Sequence, residues 1–395
     1  MHKLLKPLAL APALLLLAAG PDSDDALKIN QIQVVGTHNS YHQPVDPRVL
    51  AWGAPKVTEA IAAVLKTLPE NVRKTLVEQN FANRGIPDIR QTLEYYEPAL
   101  TAQLSAGIRS IELDLHNDPK GGLYSDPGGY KALRAQGVSD PLPMLQADMD
   151  KPGLKVLHMA DIDFRTSCST FRLCLTEMKL WSDQHPDHSP IFILIEPKIG
   201  GLTIPGTVDV PTFDAAAWDE FDRTIVETLG RDKVVAPDDV RGSHKTLEEA
   251  VLAGGWPTVA KARGKFLFLM LSPGAQLAGL QGYLAGHDSL KGRMAFIDSE
   301  PGMPHAAFVQ DDNAMKDLAR DERLVRQGYL VRVRADIDTV EARTNDTSRR
   351  DKSWATGAQI VSTDYYSAPN AFGNDYHLAP PAKGFVCNKI SAPRC

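Results

Sequence analysis

The chain has 395 residues, of which 43% are apolar and 23% are charged, and its formal net charge is −6. Such a composition is typical of soluble globular proteins, and the length allows two average domains or one large α/β barrel with insertions. Neither the net charge nor any run of Lys and Arg residues indicates a nucleic-acid partner, so we exclude that class of function.

The N-terminus has the pattern of a secretory signal peptide. His2, Lys3 and Lys6 precede an apolar run of about a dozen residues that ends in small side chains, whereas a bilayer span needs about 20 apolar residues. A buried core helix is the alternative, but a polar PDSDD segment follows at once. We therefore predict a signal peptide over residues 1–20 and a secreted or periplasmic protein. No other segment is long enough to cross a membrane, and a monomer is the default expectation.

Short apolar, β-branched segments alternate with longer amphipathic segments along the rest of the chain. The first type predicts strands and the second predicts helices. The predicted strands cover residues 31–35, 109–115, 154–158, 191–196, 266–271, 294–298, 330–335 and 360–364. The predicted helices cover residues 56–77, 91–106, 171–184, 214–229, 246–253 and 313–327. This alternation favours an α/β fold of the (β/α)₈ TIM-barrel type over two Rossmann halves.

Three connections are long for such a barrel. Residues 36–108 separate the first two strands, and residues 116–150 and 197–213 are rich in Gly and Pro. Insertions of this kind tend to collect on the C-terminal face of a barrel, around the active site. We therefore expect all three on that face.

The four cysteines fall into two close pairs. Cys168 and Cys174 are six residues apart, and Cys387 and Cys395 are eight apart. An even number of cysteines in an exported chain favours disulfides, and of the three possible pairings we predict the one that joins neighbours. A zinc site is the alternative, but neither pair has the usual two-residue gap and no histidine lies inside either loop.

Polar side chains stand at the ends of several predicted strands, where a barrel enzyme carries its chemistry. The first strand runs through VVGTHNSY and ends in His38 and Asn39. The second carries Glu112 and Asp114, which are two residues apart and therefore point to the same side. The other polar residues at strand ends are His158, Glu196, Lys198 and Asp364.

Each of these residues also has a structural explanation. Asn39 is a turn former, a histidine after a strand is often only hydrogen-bonded, and Glu112 and Asp114 could form ion pairs with Arg109. The combination indicates more, because burying three carboxylates together is costly unless a cation neutralises them. Carboxylate and amide oxygens suit Ca²⁺ or Mg²⁺, and histidines beside such a metal suit acid–base work on a phosphoryl group.

Four motifs in this order, GTHNSY, SIELDLH, VLH and ILIEPK, resemble the calcium-dependent phosphoinositide-specific phospholipase C family. Members of this family are TIM barrels, and the match is closest to the secreted bacterial, single-domain type. It covers about residues 28–366, which we take as the catalytic barrel, with residues 367–395 as a disulfide-stapled tail. The resemblance implies that Ca²⁺, with Mg²⁺ as the alternative, binds four residues: Asn39, Glu112, Asp114 and Glu196.

The resemblance also implies a reaction. The inositol 2-hydroxyl of phosphatidylinositol, held at a membrane surface, would attack the phosphodiester and give diacylglycerol and a cyclic inositol phosphate. Glu112 or Glu196 would take the hydroxyl proton, His38 would stabilise charge on phosphorus, and His158 would protonate the leaving oxygen.

Three basic residues and one tyrosine are candidate contacts to the substrate. Lys198, Lys265 and Arg334 lie at or near strand ends and could bind phosphate oxygens, or could be solvated surface charges. Arg334 and Arg332 could equally be ion-pair partners inside the barrel. Tyr365 could pack against a sugar ring or simply cap the barrel.

Other histidines and aspartates are expected outside the site itself. We place His42 and His116 beside the site and interpret residues 185–188 (HPDH) as a turn on the opposite, stability face. For Asp161 and Asp163 we favour capping of the next helix over a second cation site.

Two other functions compete with this one. A glycerophosphodiester phosphodiesterase or phospholipase D-like barrel usually has an arginine after the first histidine, whereas this chain has Asn39. A non-catalytic, calcium-dependent lipid- or glycan-binding barrel would have no need of the pair His38 and His158.

Overall fold

The computed structural model describes residues 24–74, 88–199, 207–272 and 277–395. The predicted signal peptide, residues 1–20, lies outside the described residues. Among the described helices, none combines the length and the apolar character needed to cross a bilayer.

Eight parallel strands form a nearly closed barrel. Their order around the barrel is β6-β5-β4-β2-β1-β9-β8-β7, and a parallel bridge between Asp298 and Phe308 joins the two ends. The strands are β1 (Ile32–Thr37), β2 (Ser110–His116), β3 (Lys155–Val156), β4 (Ile191–Pro197), β5 (Phe266–Met270), β6 (Ala295–Ile297), β7 (Phe308–Asp311), β8 (Leu330–Arg334), β9 (Ile360–Thr363) and β10 (Val386–Cys387). The predicted TIM-barrel fold is thereby confirmed.

One predicted barrel strand is wrong and one was missed. The segment 154–158 contributes only the short β3, which is not a strand of the barrel. β3 pairs antiparallel with the end of β2 through Val156 and Leu115. The apolar residues of the segment are buried all the same, Leu154 and Val156 in the main core and Leu157 in the core of the insertions, and periodicity cannot distinguish such burial from that of a barrel strand. The barrel strand that the sequence does not predict is β7. Its sequence FVQD has only two apolar residues, too few to indicate a strand.

Helices cover the outside of the barrel and build the insertions. In the described part of the chain they are α1 (Pro47–Thr67), α2 (Ile89–Thr92), α3 (Leu100–Ser105), α4 (Gly128–Ala135), α5 (Phe171–Gln184), α6 (Ala215–Leu229), α7 (Pro237–Arg241), α8 (Leu247–Leu252), α9 (Val259–Ala262), α10 (Leu277–Leu284), α11 (Leu318–Gln327), α12 (Val340–Thr344) and α13 (Ser348–Ala355). The helix predicted over 91–106 is instead two short helices, and the segment between them contains Pro98. Proline cannot continue the hydrogen-bond pattern of a helix.

The molecule has a main core and a second, smaller one. The main core lies inside the barrel and between the strands and helices. The second core belongs to the insertions, where α1 packs on α4 and on the segment around Phe164 through residues such as Val49 and Leu133. This second core fixes the loops of the barrel mouth to a packed support.

Both predicted disulfides are present. Cys168 is bonded to Cys174 at the start of α5, and Cys387 is bonded to Cys395 in the tail. The tail returns to the amino end of β1, where β10 pairs antiparallel with Ile32.

Candidate active site

Three carboxylates meet at the carboxyl ends of β2 and β4. Glu112 and Asp114 are fully buried in β2, and Asp114 is the register partner of Glu196 in the parallel pair β2–β4. Each of the three residues places a carboxylate oxygen within 4.8 Å of the others. The register of two neighbouring strands therefore creates this carboxylate cluster.

The turn after β1 brings Asn39 to the same place. Asn39 has a φ of 45°, a left-handed conformation that asparagine tolerates better than most residues. The turn is fixed to β2, because Ser40 N–H donates to Glu112 O at 3.0 Å and Glu112 N–H donates to Ser40 Oγ at 2.8 Å. Gln103 Nε2 donates to Ser40 O at 2.6 Å from the other side.

The donor atoms of this cluster fit a divalent cation that prefers oxygen. Asn39 Nδ2 donates to Tyr95 Oη at 2.7 Å, while Asn39 Oδ1 is buried and has no hydrogen-bond partner among the described residues. Asp114 Oδ1 is also buried and finds no hydrogen-bond partner in the described part of the chain. Unsatisfied buried oxygens are costly, and carboxylate and amide oxygens are the ligands that Ca²⁺ prefers.

Two cations, the buried Arg332 and the partly buried Lys198, neutralise the cluster only in part. Lys198 Nζ lies 2.7 Å from Asp114 Oδ2 and 2.6 Å from Glu196 Oε1, and Arg332 lies 2.7 Å from Glu112 Oε2. Burial nevertheless raises the pKa of Glu112 to about 8 and also raises the pKa of Asp114. For Glu196, Lys198 outweighs the effect of burial and lowers the pKa. A further cation would relieve the unfavourable burial of the first two carboxylates.

His38 is held between a carboxylate and an arginine. His38 Nδ1 lies 2.7 Å from Asp364 Oδ1, and Arg334 lies 3.2 Å from His38 Nε2 and 3.1 Å from Asp364 Oδ2. Because a carboxylate only accepts, Nδ1 carries a ring proton and donates to Asp364, while Nε2 faces Arg334, which only donates. Burial, and then the charge of Arg334, lowers the pKa of His38 well below its ordinary value. The fixed positive charge on this side of the site therefore belongs to Arg334.

His158 is held by a second carboxylate. His158 follows β3, and its Nδ1 lies 2.8 Å from Asp163 Oδ2. Asp163 is fully buried and also contacts His42, and the two histidines keep the pKa of this carboxyl below its ordinary value against the effect of burial. The helix-capping role favoured for Asp163 is wrong, since Thr170 caps α5.

The structure brings some of the predicted substrate residues to the site and leaves others away from it. Lys198 lies within the carboxylate cluster and Arg334 lies beside His38. Lys265 directly precedes β5, at the amino end of the barrel, and is not brought to the site. Tyr365 is buried and donates to the backbone oxygen of Glu94 at 3.2 Å.

His116, His185 and His188 lie where the sequence predicts. His116 is buried beside the site, with its Nε2 3.4 Å from the His158 carbonyl oxygen. His185 follows α5 and His188 bonds to Ser182, at the amino end of β4 and away from the barrel mouth. The expected turn on the opposite face is therefore present.

Sequence reasoning missed the partners that hold the two histidines. Asp364 stood out as a strand-end residue but received no role, although its place directly after the last strand was a usable signal. The capping role predicted for Asp163 gives no indication of its contact with His158. Tyr95 lies in a loop and belongs to no motif, so nothing in the sequence indicated its contact with Asn39.

A barrel with an acidic cluster that could hold a metal ion and two histidines bonded to carboxylates has the groups that a metal-assisted phosphodiesterase needs. The sequence model of the family described as "Phosphoinositide phospholipase C, Ca2+-dependent" matches residues 27–388. The chain therefore belongs to this family of phosphodiesterases.

Solved structures of bacterial enzymes share the fold. A calcium-dependent phosphoinositol-specific phospholipase C from a Gram-negative bacterium, Pseudomonas sp., in a myoinositol complex, is 15% identical and has a TM-score of 0.51, with 90% of this chain and 97% of that chain covered. A Ca²⁺-dependent phosphatidylinositol-specific phospholipase C from Streptomyces antibioticus is 21% identical with the same TM-score, with 90% and 100% covered. Among curated proteins, none matches this chain.

Proposed function

We propose that the protein is a secreted, calcium-dependent phospholipase C that cleaves phosphatidylinositol to diacylglycerol and a cyclic inositol phosphate. The observation that carries the proposal is the carboxylate cluster, with its oxygens within 4.8 Å of one another, combined with two histidines that are each fixed by an aspartate. A binding module would need the cluster but not the two oriented histidines.

Four residues would hold the calcium ion: Asn39, Glu112, Asp114 and Glu196. When bound, Ca²⁺ supplies positive charge to a phosphate oxygen and lowers the pKa of the inositol 2-hydroxyl. Two unpartnered oxygens, Asn39 Oδ1 and Asp114 Oδ1, support this assignment.

The first half of the reaction forms a bond between the 2-oxygen and phosphorus. Glu112 or Glu196 takes the hydroxyl proton; Arg332 orients the former and Lys198 the latter. Arg334 supplies fixed positive charge to the phosphate oxygens, and His38, held through Nδ1 by Asp364, stabilises the charge that develops on them in its protonated form, in which Nε2 donates to a phosphate oxygen.

The second half breaks the bond between phosphorus and the diacylglycerol oxygen. His158 carries the proton for this oxygen on Nε2, since its Nδ1 is occupied by Asp163. The cyclic phosphate is the first product, and its hydrolysis to the acyclic form is a possible second step with the proton transfers reversed.

The proposal is tested with phosphatidylinositol vesicles, in calcium or in excess chelator, with products followed by phosphorus NMR. We expect a calcium-dependent cyclic inositol phosphate signal. His38→Ala and His158→Ala should each lower kcat about 10²–10⁴-fold. Cleavage of glycerophosphodiesters without any cyclic species would overturn the proposal in favour of a glycerophosphodiester phosphodiesterase.

A substrate analogue separates the roles of the two histidines. If the diacylglycerol is replaced by a phenolate that leaves without protonation, His158→Ala should regain most of the wild-type rate, whereas His38→Ala should not. His185→Ala, at the opposite end of the barrel, is the control and should keep the wild-type rate with both substrates.

Export is part of the proposal. Two intact disulfides suit an oxidising compartment, and the N-terminal segment has the composition of a signal peptide. Mass spectrometry of protein from a culture medium or periplasm should show a mature chain that begins close to residue 21; an intact N-terminus in the cytoplasm would contradict export.

A further inference from the structure

His42 is a buried histidine whose two ring nitrogens both face acceptors. Its side chain has no exposed surface. Nδ1 lies 2.9 Å from the backbone oxygen of Tyr95, and Nε2 lies 2.8 Å and 2.9 Å from the carboxylate oxygens of Asp163. Neither a carbonyl nor a carboxylate oxygen can donate, so both nitrogens of His42 donate.

Burial alone does not produce this arrangement, as His188 shows. His188 donates through Nδ1 to the backbone oxygen of Ser189 and accepts through Nε2 from the hydroxyl of Ser182. Burial lowers the pKa of His188 to about 4, whereas Asp163 and Tyr95 raise the pKa of His42 in spite of its burial. His42 is therefore built to hold a carboxylate, and His188 is not.

Tyr95 connects His42 to the proposed metal ligand. Its ring stacks on the ring of His42, with centroids 4.4 Å apart and an interplanar angle of 22°. Its hydroxyl accepts a hydrogen bond from Asn39 Nδ2 at 2.7 Å. Because this bond fixes the amide nitrogen, it also fixes the direction of Asn39 Oδ1, which has no partner among the described residues.

The loops that carry these residues are bonded to each other. His42 forms an antiparallel bridge with Thr166, and Ser167 N–H donates to the backbone oxygen of Tyr41 at 2.8 Å. The ring of His42 also lies edge-on to the ring of His158, with centroids 6.4 Å apart. The two halves of the site are the metal half, with Asn39, and the leaving-group half, with His158. They meet at His42 and Tyr95, although neither residue lies at the surface.

We propose that His42 and Tyr95 are positioning residues of the reaction: His42 fixes the Asp163 carboxylate that orients His158, and Tyr95 fixes the amide of Asn39. This inference rests on the proposed function. It assigns one residue to each half of the site, and the two assignments have different measurable consequences.

Tyr95→Phe tests the assignment of Tyr95 without any turnover. Loss of the hydroxyl frees the Asn39 amide, so we expect the Kd for calcium, measured by calorimetry on the metal-free protein, to rise about tenfold or more. Tyr130→Phe is the matched control and should leave the Kd unchanged, because its hydroxyl bonds to the backbone of Leu142 away from the cluster.

His42→Gln tests the assignment of His42. Glutamine keeps one donor but cannot hold Asp163 and the Tyr95 carbonyl together, so we expect kcat on phosphatidylinositol to fall about 10-fold to 100-fold with little change in the calcium Kd. His188→Gln is the matched control for loss of a buried histidine and should leave kcat unchanged.

A double-mutant cycle distinguishes positioning from loss of structure. If His42 acts through Asp163, then His42→Gln adds no further loss of kcat to the Asp163→Asn variant. The loss should also shrink with the phenolate substrate, because that leaving group needs no proton from His158. Additive losses, or an equal loss with both substrates, would overturn the role of His42.

Different results would overturn the positioning roles and the proposed function. An unchanged calcium Kd in Tyr95→Phe would overturn the role of Tyr95 whatever the substrate is. A wild-type protein that binds calcium but does not cleave phosphatidylinositol would overturn the proposed function, while the effect of Tyr95→Phe on the Kd would still support the positioning of Asn39. If His42→Gln does not fold, His42→Asn replaces it in the same cycle.

Discussion

Asp364 contacts two basic groups at once. Its two oxygens face His38 Nδ1 at 2.7 Å and Arg334 at 3.1 Å, and its backbone N–H donates to Asp336 Oδ1 at 2.8 Å. The carboxylate therefore has little freedom to move. It fixes both the tautomer of His38 and the position of the arginine charge beside it.

We predict that Asp364→Asn lowers kcat. Asparagine has the same shape, but its amide can donate to His38 Nδ1 and so favours the wrong tautomer, and it no longer attracts Arg334. We expect kcat on phosphatidylinositol to fall about 10²–10⁴-fold, with the calcium Kd from calorimetry little changed. A kcat within about threefold of wild type would show that His38 does not depend on Asp364.

The strand β1 depends on a glycine for its approach to β2. The two strands pair at Gly36 and Ser110, two residues before His38. A Cβ atom at Gly36 would lie 2.6 Å from the Cβ atom of Ser110, which is closer than two carbon atoms can pack. The place of His38 and Asn39 at the barrel mouth therefore depends on the absence of a side chain at this position.

We predict that Gly36→Ala separates the strands β1 and β2. The free energy of unfolding in urea should fall by about 1–3 kcal/mol, and kcat should fall about tenfold or more because the turn that carries His38 moves. Adding Ser110→Gly removes the contact and should restore most of both losses. If the double variant is no better than the single one, strand separation is not the cause.

Each end of the barrel carries one of the two disulfides. The Cys168–Cys174 disulfide lies at the mouth, in the segment that contacts His42 and contains Asp163. The Cys387–Cys395 disulfide lies at the base, where β10 pairs with the start of β1. The two disulfides close loops of similar length, with separations of 6 and 8 residues. The effects of removing them can therefore be compared directly.

We predict that replacing either pair by serines lowers the free energy of unfolding by a similar amount, about 2 kcal/mol, because each disulfide closes a short loop in the unfolded chain. Only the Cys168→Ser/Cys174→Ser variant should also lower kcat, since it loosens the support of Asp163. Urea unfolding and steady-state rates on phosphatidylinositol measure the two effects. An equal loss of kcat in the Cys387→Ser/Cys395→Ser variant would contradict this division between mouth and base.

The barrel itself was largely predictable. Apolar, β-branched runs such as 191–196 and 266–271 predict seven of its eight strands, because strands buried on both faces must be apolar throughout. The prediction of 154–158 as a barrel strand is wrong, and β7 is not predicted. An apolar run indicates that a segment is buried, but not which element buries it. The pairing of β2 with β4 was likewise outside the reach of periodicity.

The sequence by itself determined which residues could act: the His–Asn pair after β1, the two carboxylates of β2, the strand-end Glu196, His158 and the local disulfide pairs. These follow from residue type and spacing along one element. Only the tertiary structure decided which carboxylate holds which histidine, that Tyr95 contacts Asn39, and that Lys265 lies at the far end of the barrel. Such contacts join residues distant in the chain, as in the 326 positions between His38 and Asp364. They depend on strand register and loop packing, which no local pattern encodes.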